Sequence, residues 1–238
     1  MLAVKPATVL PCLLLSFPTT TPSRADTHAL FLKGVKDVVK LHLSGGRIYE
    51  GQVVSCIIDG KQDACFEGKG VFTLPNGYRY EGEFKNSKPN GKGKFKSRGN
   101  ARYEGGFKNG MLDGQGVMFY ADGRHYKGHY KDNQRHGFGV MIYQDGSQYI
   151  GEFKNDKRDG QGVMTHPDGR RYEGGYKNNN RDGYGIMTYQ DAGLYQEGSR
   201  YEGEFKDDKR HGQGVMIYLD DGRRLEGEFK DDVFIGTQ

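Results

Sequence analysis

Cationic side chains recur at a fixed spacing along most of this chain. One lysine follows an aromatic residue in each copy of a recurring segment, and four arginines occupy a second repeated position. Cations at regular intervals can bind an anionic surface, where each one held near lipid headgroups contributes about 1 kcal/mol. The candidate strip for lipid or partner binding consists of Lys85, Lys108, Lys131, Lys154, Lys177, Lys206, Arg135, Arg158, Arg181 and Arg210.

Acidic residues repeat beside this strip and leave a second interpretation open. Glutamates such as Glu81, Glu104 and Glu173 recur near the lysines, so the charges can instead form cross-strand ion pairs on a solvated sheet face. The formal net charge is only +4, with 35 basic and 31 acidic residues. That balance is too weak to indicate a nucleic-acid partner.

Two cysteines, Cys56 and Cys65, lie close together in a segment that lengthens the first repeat. A close pair within an insertion predicts a disulfide if the chain is exported, contributing about 2–3 kcal/mol. The alternative is two free thiols in a cytosolic protein. No metal site is expected, because a second cysteine pair is absent and the histidines are scattered.

Sequence signatures of enzymes are missing. No phosphate-binding loop occurs, since pairs such as Gly91-Lys92 and Gly93-Lys94 lack the following Ser or Thr. The G-x-G pairs recur with the repeat and open no helix, and neither G-x-S-x-G nor H-E-x-x-H is present. The sequence therefore predicts a protein that is not an enzyme and binds no cofactor.

The elements that position these side chains follow from a repeat of 23 residues, the spacing from Tyr80 to Tyr103 and onward. Such a period indicates stacked repeats. Alternating apolar and polar residues predict two antiparallel strands per unit, and Asn-Gly or Asp-Gly pairs predict type I′ turns between units. A glycine two residues after each tyrosine should let the ring lie flat on the backbone. The structural repeat residues are Tyr80, Tyr103, Tyr126, Tyr149, Tyr172, Tyr201, Gly82, Gly105, Gly128, Gly151, Gly174 and Gly203.

The unit resembles the MORN (membrane occupation and recognition nexus) repeat family. It reads Y-E-G-E-F-K, then five further positions, then G-x-G-V-M-x-Y-x-D-G, and the resemblance extends from about Tyr49 to Gly236. The resemblance implies an all-β fold, an elongated single-layer twisted antiparallel sheet of stacked β-hairpins. It also implies a role as a scaffold or targeting module.

Both ends of the chain depart from the repeat. Residues 1–25 read as a secretory signal peptide, with a disordered leader or a misassigned start as alternatives. Residues 26–48 are predicted to form an arm and a capping half-repeat, and residues 49–238 an array of about seven units plus a truncated eighth. The apolar Val233-Phe234-Ile235 can cap the sheet or pair with a second copy in a homodimer.

Together these features predict an exported, non-catalytic repeat scaffold that presents a sheet face to an unidentified protein partner. The alternative is a peripheral membrane protein that binds anionic phospholipids through the Lys/Arg strip, with a cytoplasmic or membrane-associated location. Six extra residues near Ala192 and Tyr195 form either a recognition loop or merely a longer hairpin.

Overall fold

The computed structural model describes residues 38–58, 61–190 and 198–237, with the side chains of residues 55–64 excepted. The predicted signal peptide and the extra residues around Ala192 lie outside these ranges. The chain divides into two compact units. Unit 1 comprises the residues up to Ala121 together with Tyr130–Asn133, and unit 2 comprises Asp122–His129 together with the residues from Gln134 onward.

The fold is all-β, as predicted, and its antiparallel sheet does not close on itself. A single 3₁₀ turn, Ser44–Gly46, is the only helical segment among the described residues. Within each unit the strands pair with their neighbours in the chain. The strands are β1 Val39–Leu43, β2 Arg47–Ile58, β3 Lys61–Thr73, β4 Arg79–Lys85, β5 Lys88–Lys96, β6 Arg102–Lys108, β7 Met111–Phe119, β8 His125–Lys131, β9 Gln134–Ile142, β10 Gln148–Lys154, β11 Lys157–Thr165, β12 Arg171–Lys177, β13 Asn180–Thr188, β14 Arg200–Lys206, β15 Lys209–Ile217, β16 Arg224–Lys230 and β17 Val233–Gly236.

The turn inside each repeat has two residues, both in the left-handed region. Between β10 and β11, Asn155 has φ 49° and Asp156 has φ 68°, and Lys154 pairs with Lys157 across the turn. Consecutive positive φ angles define a type I′ turn, whose twist matches that of the paired strands. Asn and Asp tolerate this region better than other residues with side chains.

The predicted type I′ turns at Asn-Gly and Asp-Gly are therefore wrong in type, although these pairs do lie between repeats. At Asp145-Gly146 only the glycine has a positive φ, 84°. Gly146 N–H donates to Tyr143 O over 3.0 Å, and Tyr143 N–H donates to Ser147 O over 2.8 Å. The loop thus contains three residues, a length that needs one left-handed residue at its end rather than two.

The core is a series of aromatic rings on one side of the strands, the aromatic face. In unit 2, Tyr149 is fully buried between Phe153 and Tyr176, with ring centroids 5.1 and 5.2 Å away in edge-to-face contact. Tyr103 contacts Phe107 and Tyr130 in the same way in unit 1. Edge-to-face pairs contribute about 0.5–1.5 kcal/mol each beyond burial. The other side of the strands, the open face, carries the exposed residues.

Candidate functional site

Each repeat tyrosine lies over two glycines, one on its own strand and one on the facing strand. Gly151 pairs with Gly162, and a Cβ at Gly151 would lie 2.6 Å from the hydroxyl of Tyr149. A Cβ at Gly162 would lie 2.5 Å from Cε2 of the same ring. The ring of Tyr149 thus lies against the backbone of both glycines, and a side chain at either position would collide with it.

A β-bulge provides the backbone carbonyl that accepts the hydrogen bond of the tyrosine hydroxyl. The register of β10 and β11 shifts between Gly151 and Phe153, leaving Glu152 unpaired on that side. Tyr149 Oη–H donates to Glu152 O over 3.0 Å, and the Glu152 carboxylate accepts from Gln161 N–H over 3.0 Å. This glutamate satisfies backbone at a bulge, so it belongs to the fold and not to an ion-pair row.

The lysines of the predicted strip are exposed at the ends of first strands, next to the two-residue turns. Lys154 pairs across its turn with Lys157, and Lys85 pairs with Lys88 in the same way. Lys157 Nζ donates to Asn178 Oδ1 over 3.0 Å. The lysines in unit 1 are Lys85, Lys108 and Lys131, and those in unit 2 are Lys154, Lys177 and Lys206.

The arginines of the predicted strip are in a different environment, packed on the aromatic face of unit 2. The guanidinium of Arg135 lies 5.8 Å from the Tyr126 ring centroid and 5.2 Å from that of Phe153. Its Nε–H donates to Asp156 Oδ1 over 3.0 Å, and its Nη2 donates to Asp156 O over 2.7 Å. Arg158, Arg181 and Arg210 lie over two rings each in the same manner.

The structure therefore separates the two halves of the strip. Each arginine covers rings and bonds the two-residue turn of the following repeat, through Asp156, Asn179, Asp208 and Asp232 in turn. Its donors are largely used within the fold, whereas the lysines are exposed. Sequence reasoning placed both rows on one edge because it had no means of detecting contacts between residues 21 or more positions apart.

The remaining glutamates are partly ion-paired, as the second sequence interpretation predicted. Lys94 and Glu104 form a cross-strand pair at 3.1 Å. More often the partner is an arginine two residues earlier on the same strand, as for Arg171 and Glu173 at 2.6 Å. Both side chains of that pair are about half exposed, so it contributes little to stability.

The open face of β9–β11 carries an apolar row that was not singled out from the sequence. Ile150 pairs with Val140 on one side and Val163 on the other, and Phe138 lies nearby with 62% of its surface exposed. The position of Ile150 is occupied by Glu81, Glu104, Lys127, Glu173, Glu202 or Glu226 in other repeats. Alignment of the repeats position by position would have found this interruption.

The predicted disulfide is only partly described. Cys65 is buried and disulfide-bonded, whereas the side chain of Cys56 lies outside the described residues. The strand register pairs Val54 with Cys65 and Cys56 with Asp63, which makes the cysteines diagonal neighbours on β2 and β3. The Cys56–Cys65 pairing stays a prediction.

No group of three or more His, Cys, Asp or Glu side chains among the described residues is arranged to hold a metal ion. Nor does any helix in the described ranges have the length and apolarity needed to cross a membrane.

Solved structures resemble the chain only weakly. The TCP domain of Drosophila melanogaster SAS-4 (dCPAP), in complex with a proline-rich motif of Ana2 (dSTIL), is 13% identical over 63% of this chain and 77% of that chain, with a TM-score of 0.37. The G-box domain of the microcephaly protein CPAP is 12% identical over 82% and 100%, with a TM-score of 0.42. The TCP10 domain of Danio rerio CPAP, in complex with a STIL peptide, is 14% identical over 82% and 93%, with a TM-score of 0.37. All three scores are too low to support any statement about fold or binding, and no curated protein matches the chain.

The family model for the MORN repeat matches the chain seven times. The matched residues are 66–77, 80–102, 103–123, 126–148, 149–170, 172–193 and 201–223, together more than half of the sequence. The match at residues 149–170, for example, contains the tyrosine, glycine pair, bulge and two-residue turn described above. The chain belongs to the MORN repeat family.

Proposed function

We propose that this protein is a non-catalytic repeat scaffold that binds a protein partner on the open face of β9–β11. The observation that carries the proposal is the apolar row of Val140, Ile150 and Val163 with the exposed Phe138 beside it. In the other repeats a charged residue occupies the middle of this row.

The row has the composition of a small protein-binding surface. Phe138 offers an exposed aromatic ring, and aromatic anchors dominate the binding energy of many interfaces. Glu152 lies opposite Phe138 in the register, and Lys127 and Glu173 are exposed on the flanking strands β8 and β12. An apolar centre with charged surroundings is the usual anatomy of an interface.

Site-specific photocrosslinking in the native cell tests this surface. A photoreactive phenylalanine analogue at position 138 should give a discrete adduct with one partner. The matched control carries the analogue at position 213, which is the equivalent exposed position of a later repeat. Ile150→Glu places there the glutamate that most other repeats carry and should abolish the adduct, and urea denaturation checks that the variant stays folded.

Two outcomes would contradict the proposal. One is the same set of adducts from positions 138 and 213, which would indicate non-specific contact. The other is an adduct at position 138 that persists in Ile150→Glu, because a partner that ignores a buried charge does not use the apolar row.

The second candidate function is binding to anionic membranes, favoured by the exposed lysines beside the two-residue turns. The turn side chains include Asp156 and Asp208, which lower the local positive charge. Since the arginines cover rings, only the lysines are free to meet headgroups, and binding should be weak and strongly dependent on salt.

Vesicle sedimentation distinguishes this function from protein binding. Lys154→Glu with Lys177→Glu should release the protein from phosphatidylserine vesicles, and raised salt should do the same. Vesicles of phosphatidylcholine alone are the control. Binding that survives both charge reversal and high salt would exclude the lysines as its cause.

Export and self-association are further parts of the proposal. Removal of residues 1–25 would leave a mature chain starting at Asp26, which the intact mass of the native protein would reveal.

At the other end, β17 pairs with β16 and exposes Val233 and Ile235, so a second copy could add to this edge. A sedimentation-velocity mass that halves in Val233→Lys would support a homodimer, and a monomeric wild-type mass would exclude it.

A further inference from the structure

Arg158 differs from the other arginines that cover the rings of unit 2. Arg135, Arg181 and Arg210 each form an ion pair with an aspartate of the next turn, at 3.0 to 3.2 Å. The equivalent turn residue for Arg158 is Asn179, which accepts from Arg158 N–H and Nη2. Among the described residues no carboxylate pairs with Arg158, and its Nε–H and Nη1 groups have no hydrogen-bond partner.

An open surface cavity of about 580 Å³ lies beside the Arg158 guanidinium. That volume is in the range of small-molecule sites. The side chains of Tyr143 and Met164 supply apolar surface, and Arg158 supplies positive charge. Arg124 also lines the cavity, but it is ion-paired with Asp122 at 2.7 Å. Its remaining lining residues are Gln144, Asp145, Ser147 and His166.

The single carboxylate of the cavity is already engaged. Asp145 Oδ1 accepts from Ser147 N–H over 2.9 Å, and Oδ2 accepts from the Ser147 hydroxyl over 2.9 Å. These bonds hold the pKa of Asp145 below its usual range, first through the backbone N–H. The Ser147 hydroxyl also lies 3.0 Å from His166 Nδ1, so the imidazole ring is fixed against the wall.

His166 occupies a position where most repeats have tyrosine, as at Tyr120, Tyr143, Tyr189 and Tyr218. An imidazole fills less volume than a phenol, so this repeat has space next to Met164 that a consensus tyrosine would reduce. Burial, with the neighbouring Arg170 second, lowers the pKa of His166 and favours its neutral form. The cavity therefore lies where an arginine without a carboxylate partner and a histidine in place of the usual tyrosine occur together.

We propose that this cavity binds a carboxylate attached to an aromatic or apolar group. The Nη1 group of Arg158 would donate a charge-assisted hydrogen bond to the carboxylate, from a guanidinium that no aspartate neutralises. The aromatic or apolar part would pack against Tyr143 and Met164, in the space left by His166. This site lies on the aromatic face, so it is independent of the protein-binding row on the open face.

Titration with N-acetyl-L-phenylalanine, followed by NMR of the backbone amides of residues 143–147 and 158–166, tests the site on the full chain. We expect saturable shifts confined to the cavity lining. N-acetyl-L-phenylalaninamide, which has the same ring but no charge, should bind at least about tenfold more weakly. 3-Phenylpropionate distinguishes the source: equal binding indicates a free aromatic acid, whereas preference for the acetylated amino acid indicates a peptide C-terminus.

Asn179→Asp is the most informative variant, because it gives Arg158 the ion pair found in the other repeats. It should weaken N-acetyl-L-phenylalanine at least about tenfold while keeping or raising stability. His166→Tyr, which restores the consensus ring, should also weaken binding. Arg181→Gln removes an equivalent arginine that does not line the cavity, and it should leave the affinity unchanged.

Three results would overturn the proposal. They are an equal affinity for the charged and neutral compounds, unchanged binding in Asn179→Asp, and no shifts in residues 143–147 and 158–166 at millimolar ligand. Arg158→Gln alone would not decide the question, since it also uncovers Tyr149 and Tyr176 and can loosen the repeat.

Discussion

Units 1 and 2 cover their aromatic rings with opposite kinds of side chain. In unit 1 the positions equivalent to the ring-covering arginines are occupied by Phe66, Pro89 and Leu112, all buried. Phe66 stacks on Tyr49 with centroids 3.7 Å apart, where Arg135 of unit 2 lies over Tyr126. The backbone hydrogen bond to the following turn is the same in both units, from Ser87 N–H to Phe66 O and from Asp156 N–H to Arg135 O.

The turn residue changes together with the covering residue. Leu112 N–H bonds the neutral Asn133, and Arg135 N–H bonds the charged Asp156. Pro89 has no N–H to donate, and its partner in the next turn, Gly110, has no side chain to accept. The backbone contact thus defines the repeat, while the pair of side chains above it can be apolar and neutral or cationic and anionic. Arg158 with Asn179 is the one mixed pair among these.

The glycine pair beneath each tyrosine should be equally sensitive in both units. Gly116→Ala in unit 1 and Gly162→Ala in unit 2 each place a Cβ about 2.5 Å from Cε2 of the ring above. We expect each change to cost about 3 kcal/mol or more, because ring and strand must separate. Hydrogen exchange of β6–β7 and of β10–β11 measures the local loss. A loss of protection in one unit only would show that the glycine pairs of the two units are not equivalent.

The residue that covers the ring and its partner in the next turn should be replaceable only when both are changed together. Arg135→Leu leaves Asp156 without its partner, and we expect a loss of about 2 kcal/mol. Adding Asp156→Asn recreates the Leu112–Asn133 pair of unit 1 and should recover the stability to within about 1 kcal/mol. Urea denaturation with hydrogen exchange of β8–β11 provides the measurement. A double variant as unstable as the single one would mean that the arginine has a further role.

The tyrosine hydroxyl should contribute a smaller amount that is the same in both units. Tyr103→Phe and Tyr149→Phe each leave one bulge carbonyl, of Gly106 or Glu152, without its donor. We expect each substitution to lower the free energy of unfolding by about 1 kcal/mol. The same exchange experiment detects it, and a Phe variant as stable as the wild type would indicate that water replaces the hydroxyl.

The smallest expected effect is a dependence of the stability of unit 2 on pH, caused by His166. The folded state lowers the pKa of His166, mainly through burial, with Arg170 and Arg158 opposing protonation and Asp168 and Asp145 favouring it. The unfolded chain then binds the proton more readily, so stability is full above a pH of about 6.5 and is lost as the pH falls. His166→Tyr should flatten the stability of β10–β12 between about pH 7.5 and 5.5. An unchanged slope of stability against pH would mean that another group causes the pH dependence.

The repeat, its all-β class and the residues of the core could be predicted from the sequence alone. Period, strand alternation and the spacing of Tyr149 and Gly151 are local features, and they follow from the side-chain alternation of a strand. The same local information gave the wrong turn type at Asp145-Gly146, because loop length depends on which residues pair across the loop. The two-residue turns at Asn155-Asp156 could have been found from their consecutive Asn and Asp residues.

Which of the charged side chains are exposed depends on contacts between strands and could not be predicted from the sequence. Lys154 and Arg158 are four positions apart in the sequence, yet one is exposed and the other lies over Tyr149 and Tyr176. Register between strands places Arg158 against Asn179, 21 residues away, and it also aligns Val140, Ile150 and Val163 in one row. Contacts of this kind depend on pairing between distant strands, which residue spacing within one strand does not specify.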